Sequence, residues 1–363
     1  MPAVTESAVL DALRSVKDPD LHRDIVALGF VKDLKIDGGR VAFTIELTTP
    51  ACPVKDSMRE QARAAVLAVP GVSSAEVAMT ASVRAARSAT ADLSPIPGVK
   101  NIVAVGAGKG GVGKTTLAVN LAVALSARGS RVGIIDGDIY GPNVPIMLGI
   151  DTPLESDGEK IVPAEQFGIK VVSMGFLASD DSPVIWRGPM LHGVIRQFFH
   201  EVRWGDLDYL VIDMPPGTGD VALSLSQVVP VAGAIVVTTP QEVSLADSRR
   251  AVRMYQKLNI PVLGLVENMS YFVCPNCQHE SDIFGRGGGE RTAAEMEVPF
   301  LGRIPIYQPI RAGGDSGQPV VIAEPESPAA LAVFSAAERL AAQVSIASYR
   351  KPIIPVAPVG PRA

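Results

Sequence analysis

The chain has 363 residues, 47% of them hydrophobic, enough to bury a substantial core and to form two domains or slightly more. Its formal net charge of −5 argues against broad binding to nucleic acid or anionic membranes, and the absence of an eighteen-residue apolar run predicts no membrane span. The three cysteines, Cys52, Cys274 and Cys277, are too few for a disulfide framework; with an N-terminus that lacks a signal-peptide pattern, they predict a cytoplasmic protein.

Val9, Leu13 and Val16 share one face of a predicted first helix, with Thr5 as its cap and Asp18-Pro-Asp20 as its breaker. Phe30–Ile36, the turn Asp37-Gly-Gly39 and Arg40–Leu47 read as a β-hairpin, whose second strand alternates Val41, Phe43, Ile45 and Leu47 with smaller or polar residues. A second helix is expected from Pro53, with Val54, Met58, Ala62, Val66 and Val69 on one face, followed by a strand over Val72–Met79. This predicts a small α+β domain over residues 1–87, and the proline-bearing stretch 88–100 reads as a linker. Cys52, just ahead of Pro53, is either a thiol activated at a helix N-terminus or a small buried hydrophobe.

From residue 101 apolar strands alternate with helical stretches: 101–106, 131–136, 170–175, 208–213, 233–239, 262–267 and 300–304, with a last helix near 328–344. Near-continuous apolar strands between helices predict an α/β domain over 101–345, a doubly wound and mostly parallel sheet with ligands at the carboxyl ends of its strands. The proline-rich stretch 346–363 reads as an extended tail.

Gly106-Ala-Gly-Lys-Gly-Gly-Val-Gly-Lys-Thr-Thr116 lies between the first of these strands and a helical run, the context in which G-x-x-x-x-G-K-[ST] is a phosphate-binding loop. Its glycines let backbone N–H groups converge on an anion at a helix N-terminus. Gly108, Lys109, Gly110, Gly111, Val112, Gly113, Lys114, Thr115 and Thr116 are the expected phosphate contacts, with Thr115 also a magnesium ligand. Asp136-Gly-Asp138 and Asp213-Met-Pro-Pro-Gly217 each end a strand, where a nucleoside triphosphate with Mg2+ needs one carboxylate for the metal shell and one group to orient water.

The order helix, hairpin, Thr48-Thr-Pro-Ala-Cys-Pro53, helix resembles the small metal–sulfur cluster assembly domain, and this implies a cluster-handling accessory role with Cys52 as its candidate thiol. Lys109-Gly-Gly-Val-Gly-Lys-Thr115 is similar to the deviant Walker A loop of the nitrogenase iron protein, the Min and Par ATPases and the Mrp/ApbC iron–sulfur cluster carriers. That resemblance implies an ATP-dependent homodimer in which Lys109 reaches the phosphates of the facing subunit. It also implies Asp138 as the water-orienting carboxylate, Asp213 as the switch aspartate in the Mg2+ shell, and Asn268 as an adenine contact.

Cys274-Pro-Asn-Cys277 follows the end of a strand, so its two thiols lie on a loop beside the predicted nucleotide. Two thiolates do not complete a zinc site or a cubane cluster. Two facing subunits supply four and suit one bridging [4Fe–4S] cluster; zinc on Cys274, Cys277 and His279 or between two chains, a redox dithiol and an inert pair are the alternatives. With Trp186-Arg-Gly-Pro-Met190 and Asp213–Asp220, this stretch looks like the Mrp/ApbC carriers and not the Min or Par branches. The resemblance implies an ATP-hydrolysing cluster carrier that receives clusters from a scaffold and passes them to apo iron–sulfur proteins. The rival expectation is a positioning ATPase with structural zinc at the Cys pair.

Overall fold

The structure, a computed structural model, describes residues 4–86, 93, 95–138, 141–176, 193, 196–217, 220–277 and 279–349. The N-terminal unit holds α1 (Glu6–Leu13), β1 (Val31–Asp37), β2 (Arg40–Leu47), α2 (Lys55–Leu67) and β3 (Ser74–Ala81). Thr5 caps α1 by accepting from the Ala8 N–H at 3.3 Å. β1 and β2 pair antiparallel, and β3 returns parallel to β2 after the α2 crossover. Val9, Leu13, Phe43, Ile45, Met58, Ala62 and Val66 fill the core between helices and sheet, as the alternation in β2 and the spacing in α2 predict. The second helix, however, starts at Lys55 with Val54 at its N-cap, so Pro53 is not its first residue.

An eight-stranded sheet forms the rest, built on β4 (Val99–Ala107), β5 (Val132–Asp136), β8 (Ala164–Gln166), β9 (Ile169–Ser173), β10 (Leu207–Asp213), β11 (Gly233–Thr238), β12 (Val262–Glu267) and β15 (Phe300–Arg303). Two-residue pairs β6 (Glu155–Ser156) with β7 (Ile161–Val162) and β13 (Phe272–Val273) with β14 (Glu280–Ser281) lie outside it. The strand order is β15-β12-β11-β4-β10-β5-β9-β8, parallel except for the edge strand β8, whose antiparallel pairing with β9 the sequence does not announce. β4 sits between β11 and β10, so the loop after it opens in the middle of the carboxyl edge. Both faces are covered. One layer packs Leu117–Leu125 of α3 (Lys114–Ala127), a helix apolar all round and hence buried on all sides. The other packs Phe198, Phe199, Trp204, Leu225 and Tyr255.

The chain continues through α4 (Val144–Leu148), α5 (Asp220–Val228), α6 (Glu242–Lys257), α7 (Gly288–Glu295), α8 (Gln308–Ser316), α9 (Val320–Ala323) and α10 (Pro328–Tyr349). By length and composition α10 is apolar enough to cross a membrane, but Ala329, Val333, Ala337, Leu340, Ala341 and Val344 are buried in the core beside α3.

The N-terminal unit docks on the amino edge of the large sheet, opposite the phosphate loop. Asn101 at the start of β4 is buried; its amide donates to the Arg84 carbonyl at 3.0 Å and the Asp208 carbonyl at 3.1 Å and accepts from the Ala86 N–H at 2.7 Å. Burial pushes the pKa of the Tyr209 hydroxyl up to about 12, against a lowering by Thr49 of the N-terminal unit. Ala51 and Val83 join the core of the large sheet, and Arg84 stacks 5.0 Å from the centre of the Tyr349 ring.

Candidate functional site

The phosphate loop turns from β4 into α3 through Gly113, which takes the left-handed conformation (φ 81°) as N-cap of α3. A Cβ there would also stand 2.2 Å from Asn268 Nδ2, so only glycine fits twice over. Gly108 is fixed differently: its Cβ would meet the Asp247 carbonyl at 2.3 Å, so α6 presses directly on the loop. Lys109 is half-buried at the start of the loop, and Val112 is buried beneath it.

Lys114, 8% exposed, donates from Nζ to Asp213 Oδ1 at 2.6 Å and to Thr115 Oγ1 at 3.2 Å. Thr115 Oγ1 donates to Asp213 Oδ2 at 2.7 Å. The predicted phosphate lysine, magnesium threonine and switch aspartate therefore meet at one point, where β4 and β10 end side by side. Burial pushes the Asp213 carboxyl above its ordinary range, and Lys114 and Thr115 pull it back. A hydroxyl and a carboxylate oxygen are the hard donors Mg2+ takes, so this pair fits that ion.

Asp136 pairs in register with Asp213 at the end of β5 and is fully buried. Its carboxylate accepts from the Asp138 N–H (3.1 Å), the Val144 N–H (3.1 Å) and Ser173 Oγ (3.0 Å). Burial first, and then the nearby Asp213 charge, raise its pKa to about 7. Asp136 thus holds the turn that carries Asp138, which lies close enough to Asp213 to raise the latter's pKa further. The only sequence signal for Ser173 is a polar residue closing an apolar strand.

Two further residues join this loop to the thiols. Asn268 Nδ2 donates to the Val112 carbonyl at 2.8 Å. Its neighbour Glu267, fully buried at the end of β12, accepts from Ser270 Oγ, the Gly287 N–H at 2.9 Å and the Gly289 N–H. Sequence reasoning missed Glu267, although an acid closing an apolar strand, with Gly287-Gly-Gly289 downstream, is a readable anion-cradle pattern. Between these anchors β13 and β14 form a short hairpin carrying Cys274 and Cys277, closed by the Cys274 N–H on the His279 carbonyl at 3.0 Å. The Cys277 N–H, the Asn276 N–H and then the Cys277 thiol hold the Cys274 pKa below the usual thiol range. Cys277 is exposed and Cys274 half-buried. His279 shares the hairpin, yet among the described residues no three His, Cys, Asp or Glu side chains converge to hold a metal ion.

Next to the phosphate loop a cleft of about 440 Å3 runs between Gly113, Thr116 and Asn268 on one side and Ile283, Phe284, Pro305, Ile306, Tyr307 and Ile310 on the other. Its walls are mostly apolar, as a base pocket requires.

Cys52 departs from the helix-terminus expectation. It lies two residues before the N-cap of α2, and burial pushes its thiol up, not down. Its neighbour Glu338 pairs with Arg128, which follows the far end of α3 from Lys114. Cys52 is thus separated from the phosphate loop by about the length of α3, ~20 Å. Trp186–Met190, Thr218, Gly219 and the tail from 350 lie outside the described residues.

Residues 98–341 match the family described as NUBPL iron-transfer P-loop NTPase, and residues 6–79 match the family described as iron-sulfur cluster assembly protein. The chain is 50% identical over 351 residues to the iron-sulfur cluster carrier protein of Synechocystis sp., covering 95% of this chain and 99% of that protein. Over 341 residues it is 47% identical to the carrier of Deinococcus radiodurans, covering 93% of this chain and 95% of that protein. Among solved structures it resembles the nucleotide-binding protein of Archaeoglobus fulgidus in complex with ADP, with a TM-score of 0.57, 37% identity, and coverage of 64% of this chain and 91% of that one. It also resembles the cell division ATPase MinD of Pyrococcus furiosus, with a TM-score of 0.51, 28% identity, and coverage of 66% and 98%. Sheet order, phosphate loop and sequence likeness agree: the chain belongs to the NUBPL-type iron-transfer P-loop NTPases, preceded by a domain of the iron–sulfur cluster assembly family.

Proposed function

We propose that this protein is an ATP-hydrolysing carrier that holds one [4Fe–4S] cluster between the Cys274 and Cys277 pairs of a homodimer. It receives that cluster from a scaffold and passes it to apoproteins in the cytoplasm. The observation that carries the reading is the Cys274/Cys277 hairpin: two thiols in one turn closed by the Cys274 N–H on the His279 carbonyl, with no third ligand near them among the described residues. A second copy supplies the missing pair.

In this reading the amides of residues 108–116 and the Lys114 ammonium take the ATP phosphates. Lys114 must leave Asp213 to do so, which frees the carboxylate and Thr115 for Mg2+. The ion supplies charge neutralisation on the phosphates when bound. Asp138 orients water, Lys109 reaches the facing subunit, and Asn268 with the adjoining cleft takes the adenine. The N-terminal domain, with Cys52 as its candidate thiol, is an accessory station on the opposite pole of the sheet.

The test is cluster transfer from reconstituted protein to an apo iron–sulfur protein, with and without ATP. The reading expects an ATP-dependent rate that Lys114→Ala abolishes. Equal rates in all conditions contradict it, and a preparation that takes up only zinc favours the positioning ATPase.

A further inference from the structure

The segment Asp282–Gly287 belongs at once to the nucleotide cleft and to the thiol hairpin. On the cleft side, Ile283 and Phe284 form part of its wall while remaining 56% and 42% exposed, two adjacent apolar side chains that a ligand in the cleft would cover. On the hairpin side, the Arg286 guanidinium stacks 4.5 Å from the centre of the Tyr271 ring, one residue before β13. The same guanidinium pairs with Glu280 of β14 at 2.6 Å. Beyond Arg286 the Gly287 N–H is pinned to buried Glu267, whose neighbour Asn268 holds Val112. The segment is therefore anchored at one end, bears on the cleft at the other, and braces the hairpin with a single side chain between them.

We infer that Asp282–Gly287 is the element through which the base of the bound nucleotide positions Cys274 and Cys277, with Ile283 and Phe284 reading the base and Arg286 as the strut. This rests on the reading that a nucleotide controls the thiols, and deepens it by naming the route. A base entering the cleft covers the two exposed apolar side chains, which favours one placement of the segment by the apolar area removed from water. Arg286, paired with β14 and stacked on the residue that leads into β13, carries that placement to the hairpin. Arg286 is a positioning residue: it does not line the cleft, and it meets the hairpin through Glu280 and the Tyr271 ring. On this route a ligand that fills only the phosphate loop leaves Ile283 and Phe284 uncovered. The route therefore predicts that a nucleotide moves the thiols and a bare polyphosphate does not.

The experiment measures the rate of Cys274 and Cys277 modification by a thiol reagent in cluster-free full-length protein carrying Cys52→Ser. It is run without ligand and with saturating ADP, ATP or inorganic tripolyphosphate, saturation being fixed for each protein by titration. The expected result is a change of about threefold or more with ADP and ATP and none with tripolyphosphate. Arg286→Ala should erase the nucleotide response while still binding ADP, and Arg286→Lys, which keeps the charge toward Glu280, should restore it in part. Tripolyphosphate acting as strongly as ATP overturns the inference, because the signal then travels through the phosphate loop. A full nucleotide response in Arg286→Ala overturns it too, as does no response in protein that demonstrably binds ADP. Should ATP still accelerate cluster transfer in that last case, the carrier reading stands and only this route fails.

Discussion

Asn268 Nδ2 donates to the Val112 carbonyl at 2.8 Å, which ties the end of β12 to the phosphate loop six residues before Cys274. The nucleotide loop and the thiol hairpin are therefore two ends of one hydrogen-bonded segment. A phosphate-loop carbonyl is satisfied by a side chain whose neighbour, Glu267, organises the return of the hairpin.

Removing that tie should loosen the nucleotide site more than the fold. Asn268→Ala leaves the buried Val112 carbonyl without a partner, a cost of about 1–3 kcal/mol. We expect ADP affinity to fall about tenfold by calorimetry, with the secondary structure unchanged by circular dichroism. Unchanged affinity would remove Asn268 from the site.

The Lys114–Asp213 pair is buried on both sides and so behaves unlike a surface ion pair. Asp213→Ala strands the ammonium, and breaking a buried pair from one side costs about 3–5 kcal/mol. The expected outcome is a nucleotide-free protein destabilised by that order in urea denaturation, with ATP hydrolysis lost. Stability equal to the parent protein would show that Lys114 finds another partner.

Asp136 gives the nucleotide-free protein a pH signature. Its folded pKa, about 7, stands above the unfolded value, so between roughly pH 4 and 7 the folded state binds the extra proton. Its contribution therefore favours folding at acid pH and is lost as pH rises to about 7, by on the order of a few kcal/mol. Asp136→Asn should flatten the dependence of unfolding free energy on pH over that window, whatever it does to the absolute level. A variant with the parent's slope would assign the proton elsewhere.

At the amino edge, Asn101→Ala orphans the Arg84 and Asp208 carbonyls and the Ala86 N–H together. A loss of about 2–4 kcal/mol is expected in chemical denaturation, since buried groups are left unpaired. A loss under about 0.5 kcal/mol would mean that water replaces the amide.

The large sheet was legible because its strands are buried on both faces and read as unbroken apolar runs, so 208–213 and 262–267 stand within a residue of their observed spans. The phosphate loop was legible because glycine spacing encodes backbone geometry. Ala164–Gln166 was not, since a three-residue edge strand has neither length nor alternation to reveal it. Pro53 misled for a local reason: it suits a first helical position, yet the helix begins two residues later, and burial raises the Cys52 thiol more than the Val54 N–H lowers it. Glu267 and Ser173 act through partners 20 and 37 residues away, a relation that spacing does not carry.

If two Cys274/Cys277 hairpins share one cluster, the dimer has a fixed iron and sulfide content. Iron, acid-labile sulfide and zinc content, measured on anaerobically reconstituted protein together with its mass in solution, test it most directly. Four irons and four sulfides per dimer are expected, lost in Cys274→Ala and in Cys277→Ala. Zinc without iron, or iron retained when either cysteine is replaced, would contradict it.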